Sequence, residues 1–186
     1  MSAADEEESS WLEQARSGWL NRGDRRPAFA LEPAPGQESA WDYPRPPAIV
    51  VERRLVIIGD PEHPLVSTDR SLRVLETASP PTFYFAAQDV RTERLVVAGG
   101  SSFCEWKGPA RFWALREQPD QAIAWSYPEP LAGFETIAGH LSFYPDRIRC
   151  EVEGEVVRPQ AGGFYGGWIT DKVVGPFKGD PGTSGW

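Results

Sequence analysis

The sequence predicts a mainly β fold, an antiparallel barrel or sandwich carrying one or two short helices. Three observations predict it. Short β-rich runs lie around residues 82–87, 94–98, 101–106, 110–115, 121–127, 141–144, 147–152 and 155–158, with turn residues after each and no long helical pattern between them. Eight Trp, 18 Gly and 18 Pro fall within 186 residues. Large aromatics between frequent turn formers describe short strands with many corners rather than a helix bundle. A chain of this length is ordinarily one domain with appended segments, and it can bury a substantial core without staples.

The elements divide the chain into a lead (1–47), a β core (48–158) and a C-terminal extension (159–186). Residues 1–8, with Asp5, Glu6, Glu7 and Glu8, read as a disordered acidic tail. Ser10 and Glu13 have capping-box spacing, and Trp11, Ala15 and Trp19 with Leu12 and Leu20 make an apolar stripe, so a helix is expected over 10–22, ending near Gly23. A stripe with two Trp is expected to dock on the domain or on a second subunit. Residues 24–47 are rich in Pro and suit an extended segment wrapping over a surface. The run AIVVERRLVII (48–58) predicts a strand ended by Gly59-Asp60, and STDRSLRVLE (67–76) a short helix bearing Leu72 and Leu75. The last stretch is too apolar for a linker and too rich in Gly for an ordinary strand bundle, which predicts an ordered, closely packed extension ending in Trp186. A faint repeat, FYFAAQDVR (83–91) and SFYPDRIR (142–149), suggests two related hairpins.

Charge narrows the partners. The formal net charge is −8, and no basic run exceeds the pairs Arg25-Arg26 and Arg53-Arg54, both expected to be solvated. Phosphate backbones need clustered Lys and Arg, so nucleic acid is not an expected partner. No apolar stretch reaches the roughly 20 residues of a membrane span, and the acidic start is the reverse of a signal peptide, so a cytoplasmic protein is expected. Cys104 and Cys150 form no C-x-x-C pair and are expected to be free thiols.

Candidate chemistry concentrates between Glu76 and Pro130. In SSFCEWKGPARFW, strand alternation sets Ser102, Cys104 and Trp106 on one face, Phe103 and Glu105 on the other, with Lys107-Gly108 at the corner. In AIAWSYPEP, Ile123, Trp125 and Tyr127 share a face opposite Ala124 and Ser126. A lysine, a thiol and a Trp/Tyr face together suit a small-molecule pocket, with Lys107 holding an anion and the rings stacking on a planar group. The bland readings are a solvated corner lysine, a small buried cysteine and ordinary core aromatics. Glu76 and Asp89 are the candidate acids, although an Asp in a turn often serves its own backbone. Cys104 becomes a nucleophile only with an activating neighbour. His63 and His140 lie far apart with no zinc-like spacing, and Glu151, Glu153 and Glu155 read as a solvated row, so neither metal nor cofactor is expected. The chain has no G-x-S-x-G elbow, and GGFYGGW matches no phosphate-binding fingerprint.

The order Cys104, Lys107-Gly108, Ala110, Phe112, then Trp125, Tyr127 and Pro130, resembles domain-of-unknown-function family 427, also labelled nucleotidyltransferase-like. Upstream, Glu76, Tyr84 and Asp89 occupy matching positions, and the resemblance covers about residues 48–145. The chain departs from the pattern with Glu105-Trp106 where Pro-Tyr is common. The resemblance implies a small all-β fold of two sheets leaning together like a tent around a cavity.

The leading functional reading is a binding domain for a small planar or anionic ligand, contacted by Lys107, Trp125, Tyr127, Tyr84, Trp106 and Glu76. The alternatives are an enzyme, either nucleotidyltransferase-like or dependent on Cys104 with Glu76 or Asp89, and a homodimeric interaction scaffold built on the Trp-bearing helix and the extension. A homo-oligomer is compatible with each.

Overall fold

Phe83, Tyr84 and Phe85 are consecutive, and in an extended chain consecutive side chains leave opposite faces. All three are fully buried, so the strand carrying them is covered on both sides. That requirement organises the computed structural model, which describes the backbone from residue 3 and side chains from residue 10 to the C-terminus.

The chain forms α1 (Ala3–Ser17), then β1 (Glu38–Ser39), β2 (Ala48–Glu52), β3 (Val56–Asp60), β4 (His63–Thr68), β5 (Ser71–Leu75), β6 (Thr82–Phe85) and β7 (Leu95–Cys104). There follow β8 (Gly108–Leu115), β9 (Ala122–Ser126), β10 (Leu141–Phe143), β11 (Cys150–Val152), β12 (Glu155–Val156), β13 (Arg158–Pro159), β14 (Trp168–Ile169) and β15 (Val173–Val174). A seven-stranded antiparallel sheet runs β2-β5-β6-β10-β9-β8-β7, and a four-stranded one runs β12-β11-β3-β4. The large sheet is open, ending on β2 and β7, so the core is two open sheets rather than a closed barrel, with the short pairs β1-β15 and β13-β14 beside them.

Alternation gives the large sheet two apolar faces. Phe83, Phe85, Ala124, Leu141 and Phe143 pack with Val56, Ile58, Leu65, Val66, Cys150 and Val152 of the small sheet. The opposite face collects Val74, Tyr84, Ala110, Trp125, Tyr127, Phe134, Ile137 and Tyr144, and the cavity described below lies against it.

The extension is anchored by Trp168, whose ring stacks on Phe83 at 4.7 Å and whose Nε1 donates to the Phe143 carbonyl at 2.9 Å. The lead is anchored by Trp41, fully buried, with Nε1 donating to the Pro176 carbonyl at 2.9 Å. The two terminal segments also pair directly, β1 with β15 in parallel.

Several expectations change. The run 48–58 is two strands in different sheets, β2 and β3. Glu52 pins the crossing by accepting from the backbone N–H groups of Arg53 and Arg54 and from the Arg54 guanidinium. Burial opposes its charge, but Arg54 and Arg73 hold the carboxyl down at about 2. Residues 67–76 form no helix: they finish β4 and make β5, which pairs with β2 on one side and β6 on the other. Two flanking ladders satisfy backbone groups that a lone helical turn would leave to water, and tertiary pairing overrides the i,i+3 spacing of Leu72 and Leu75. The runs 94–98 and 101–106 are one strand, β7, with a register shift between Val97 and Ser101 at the Gly99-Gly100 pair. The helix starts at Ala3 and ends at Ser17, so the stretch expected to be a disordered tail is helical from residue 3; Met1 and Ser2 lie outside the described residues.

The glutamate row is also broken. Glu153 sits at positive φ in the β11–β12 turn, and Glu151 and Glu155 lie on opposite sides of that turn. Ile123 joins the inter-sheet cluster rather than the Trp125 face.

Candidate functional site

The Lys107-Gly108 corner closes the β7–β8 hairpin. Gly108 has φ of +91°, a conformation that costs glycine little and other residues more. An added Cβ there would lie 3.2 Å from Leu131 Cγ, because the segment after β9 folds over the corner and the Leu131 N–H donates to the Lys107 carbonyl at 3.1 Å. That cover removes Lys107 from solvent, contrary to the solvated-corner expectation: it is 8% exposed.

Beside it, β9 runs along β8 in the register Phe112↔Trp125, bringing Trp125 and, just beyond the strand, Tyr127 to the same face. Tyr84 comes from β6, and the Trp125 Nε1 donates to its hydroxyl at 3.3 Å. Glu76 follows β5 and pairs with the Arg45 guanidinium at 3.4 Å. These side chains line one cavity of about 230 Å³, and so does Cys104.

Further wall comes from the terminal segments. Trp19, in the lead, donates its Nε1 to Glu105 Oε1 at 2.9 Å. Its indole carries two cations, the Arg45 guanidinium at 4.4 Å from the ring centre and the Lys178 ammonium at 3.4 Å. From the extension come Gln160, Phe164, Tyr165, Gly166 and Lys178. Gly166 passes directly over the indole of Trp125: a Cβ on it would lie 2.1 Å from Trp125 Cη2. Only a residue without a side chain fits there.

The electrostatics of the cavity are uneven. Lys178 is 4% exposed, and burial pulls its pKa down to about 8, with Arg45 adding to the fall and Glu76 and Glu105 partly offsetting it. Burial works against the Lys107 charge too, and Glu76 on the same wall favours it. Burial raises both Tyr84 and Tyr127, so both phenols stay neutral at physiological pH. Glu76 is already shared with Arg45. Among the described residues neither lysine ammonium forms a salt bridge.

The structure thus brings together Glu76, Tyr84, Cys104, Lys107, Trp125 and Tyr127, and leaves two others apart. Trp106 is buried behind the corner, facing the Arg16 guanidinium at 5.1 Å, and is not part of the cavity wall. Asp89 pairs with Arg70 at 2.6 Å in a short 3-10 turn, also away from the cavity. Glu105 reaches the cavity despite its place on the opposite strand face, because the chain leaves β7 at Cys104 and turns. Among the described residues no three His, Cys, Asp or Glu side chains cluster as a metal site. Sequence reasoning missed Trp19, Tyr165 and Lys178. One signal for Lys178 was present: the chain has 16 Arg and only three Lys, at 107, 172 and 178, and two of these face this cavity.

No curated protein matches the chain. A family model described as a domain of unknown function (DUF427) matches residues 49–155. That span includes β2 to β11 and the Lys107 side of the cavity, while Trp19, Tyr165 and Lys178 fall outside it. With more than half of its residues matched in this way, the chain belongs to the domain-of-unknown-function family 427.

Proposed function

We propose that this protein binds a small planar anionic molecule in the cavity, with Lys107 as the anchor and Trp125, Tyr84 and Tyr127 as the aromatic walls. The observation that carries the reading is the Lys107 ammonium, buried beside neutral phenols with no salt-bridge partner among the described residues. A buried charge is ordinarily paired, and an anionic group of a ligand would complete the pair. The volume of about 230 Å³ suits a single-ring metabolite rather than a nucleoside triphosphate. The carboxylates on the wall are engaged elsewhere, Glu76 by Arg45 and Glu105 by Trp19, which favours binding over metal-assisted phosphoryl chemistry. Two unbridged thiols fit a cytosolic setting.

Native mass spectrometry of protein isolated from its own cells, followed by calorimetric titration with benzoate, terephthalate and phenyl phosphate, tests the reading. A retained anion, or binding that weakens about 10- to 100-fold in Lys107→Met, is expected for loss of a charge-assisted contact. No retained molecule and no anion bound by the folded protein would overturn it.

A further inference from the structure

Lysine and arginine are not interchangeable in one respect: an ammonium can give up its proton under physiological conditions, and a guanidinium cannot. The chain uses arginine for 16 of its 19 basic positions, yet the two cavity-lining basic side chains, with no salt-bridge partner among the described residues, are both lysines. Lys107 stands on the β7–β8 corner and Lys178 on the extension. The Lys178 amine lies over the Trp19 ring at 3.4 Å and within 5.3 Å of the Tyr165 ring centre, in a largely aromatic corner. Its charged and titratable surroundings are Arg45, Glu76, and Glu105 and Cys104 from the end of β7, and Lys107 lines the same cavity.

We infer that Lys178 is a nucleophilic amine that forms an imine with an aldehyde or ketone whose anionic group is held by Lys107. Covalent capture by lysine needs an amine that is partly unprotonated, and a desolvated cavity with a second cation nearby is the environment that produces one. An amine of pKa about 8 carries roughly 300-fold more neutral form near pH 7 than one at the ordinary 10.5. Arg45 is the second cation beside Lys178, and Lys107 is left to meet the anionic group. In the step itself the Lys178 Nζ lone pair attacks the carbonyl carbon, a C–N bond forms, and the carbonyl oxygen takes up a proton. The carbinolamine then loses water, carrying away that oxygen and the remaining amine proton. Amine plus carbonyl gives imine plus water, and no oxidant or reductant enters. The inference rests on the anion-binding reading and adds to it the class of ligand, a small anionic carbonyl compound.

Incubation of the whole protein with glyoxylate, phenylglyoxylate or para-formylbenzoate and cyanoborohydride, with peptide mass mapping, tests it. Three lysines and the N-terminal amine are the candidate sites. Selective reduction onto Lys178 with at least one probe, at a rate at least tenfold above Lys172, is the expected result. Lys178→Arg keeps the positive charge and should lose the adduct, while binding of para-(hydroxymethyl)benzoate, which cannot form an imine, is measured on the wild-type protein. If that alcohol binds and no Lys178 adduct forms with any probe, the covalent inference fails and the binding reading stands. Adducts at equal rates on Lys172 and Lys178 overturn the inference as well. If neither alcohol nor carbonyl compound binds the folded protein, both fall.

Discussion

Replacing Lys178 with Met should make the protein more stable. The side chain of Lys178 is buried, its ammonium has no salt-bridge partner among the described residues, and the principal contact of that ammonium is the face of Trp19. A lysine whose pKa falls from 10.5 to about 8 on folding carries a penalty in its charged form of at most about 3.5 kcal/mol. The cation–π contact with Trp19 recovers some of that, on the order of 1 kcal/mol or more for a desolvated pair. Methionine keeps most of the volume and fills the aromatic corner without a charge. A gain of about 1–2 kcal/mol in urea unfolding near pH 7 is therefore expected. The pH dependence has a definite sign. Below pH 8 the lysine is protonated in both states and the whole penalty applies. Between pH 8 and 10.5 the unfolded chain still binds the proton and the folded one has lost it, so wild-type stability rises with pH relative to the variant. The gap between Lys178→Met and wild type should be widest below pH 8 and close towards pH 10.5, where both states hold a neutral amine. Paired urea titrations near pH 7 and pH 9.5 measure it. A variant less stable than wild type at pH 7, or a gap that does not change with pH, would show that the ammonium is already satisfied inside the fold, and the reasoning about its lowered pKa would be refuted.

Gly166→Ala should lift the extension from the indole of Trp125, since the new Cβ would lie 2.1 Å from Cη2 and 2.5 Å from Cζ3; a loss of about 1–3 kcal/mol and weaker benzoate binding are expected by thermal melting and calorimetry. Gly99→Ala, where an added Cβ meets nothing within 4 Å, is the control and should leave both unchanged. Cys104→Ser should leave anion affinity within about twofold, because the thiol makes only a weak contact to Glu105 Oε2 at 3.7 Å. Rapid, stoichiometric alkylation of Cys104 by iodoacetamide with loss of binding would instead give the thiol a functional part.

The parts of this fold that were legible in the sequence are those in which local chemistry and tertiary pairing agree. Phe83-Tyr84-Phe85 reads as a strand and is one, and CEWKG reads as a corner because Gly108 supplies the positive φ that closes it. Residues 67–76 misled because Leu72 and Leu75 stand at helical spacing, and only the ladders to β2 and β6 decide against it. The run 48–58 misled because an unbroken apolar pattern does not record where a strand changes sheets; Glu52 and the arginines after it mark the place only once their hydrogen bonds are known. In the cavity, Cys104, Lys107 and Trp125 were legible together because a hairpin and its neighbouring strand place them within one continuous stretch of chain. Trp19 and Lys178 were not, since they are 159 positions apart in the sequence and meet only through the packing of the lead against the extension.

That separation bears on what the family match can mean. The matched span supplies Lys107, the phenols and the indole floor, whereas the amine with the lowered pKa and the ring on which it rests lie outside that span. An anion seated between the two lysines would touch both the β core and the extension, and its binding energy would hold the extension closed over Trp125 as well as hold the ligand. On the proposed reading, affinity for a negative group would come from the core, and the choice among anions, including any preference for a carbonyl carbon, from the lead and extension. A relative that shares β2 to β11 and lacks the counterparts of Trp19 and Lys178 should therefore bind benzoate without forming reducible adducts. The two properties should separate along the boundary of the matched residues and not elsewhere in the cavity.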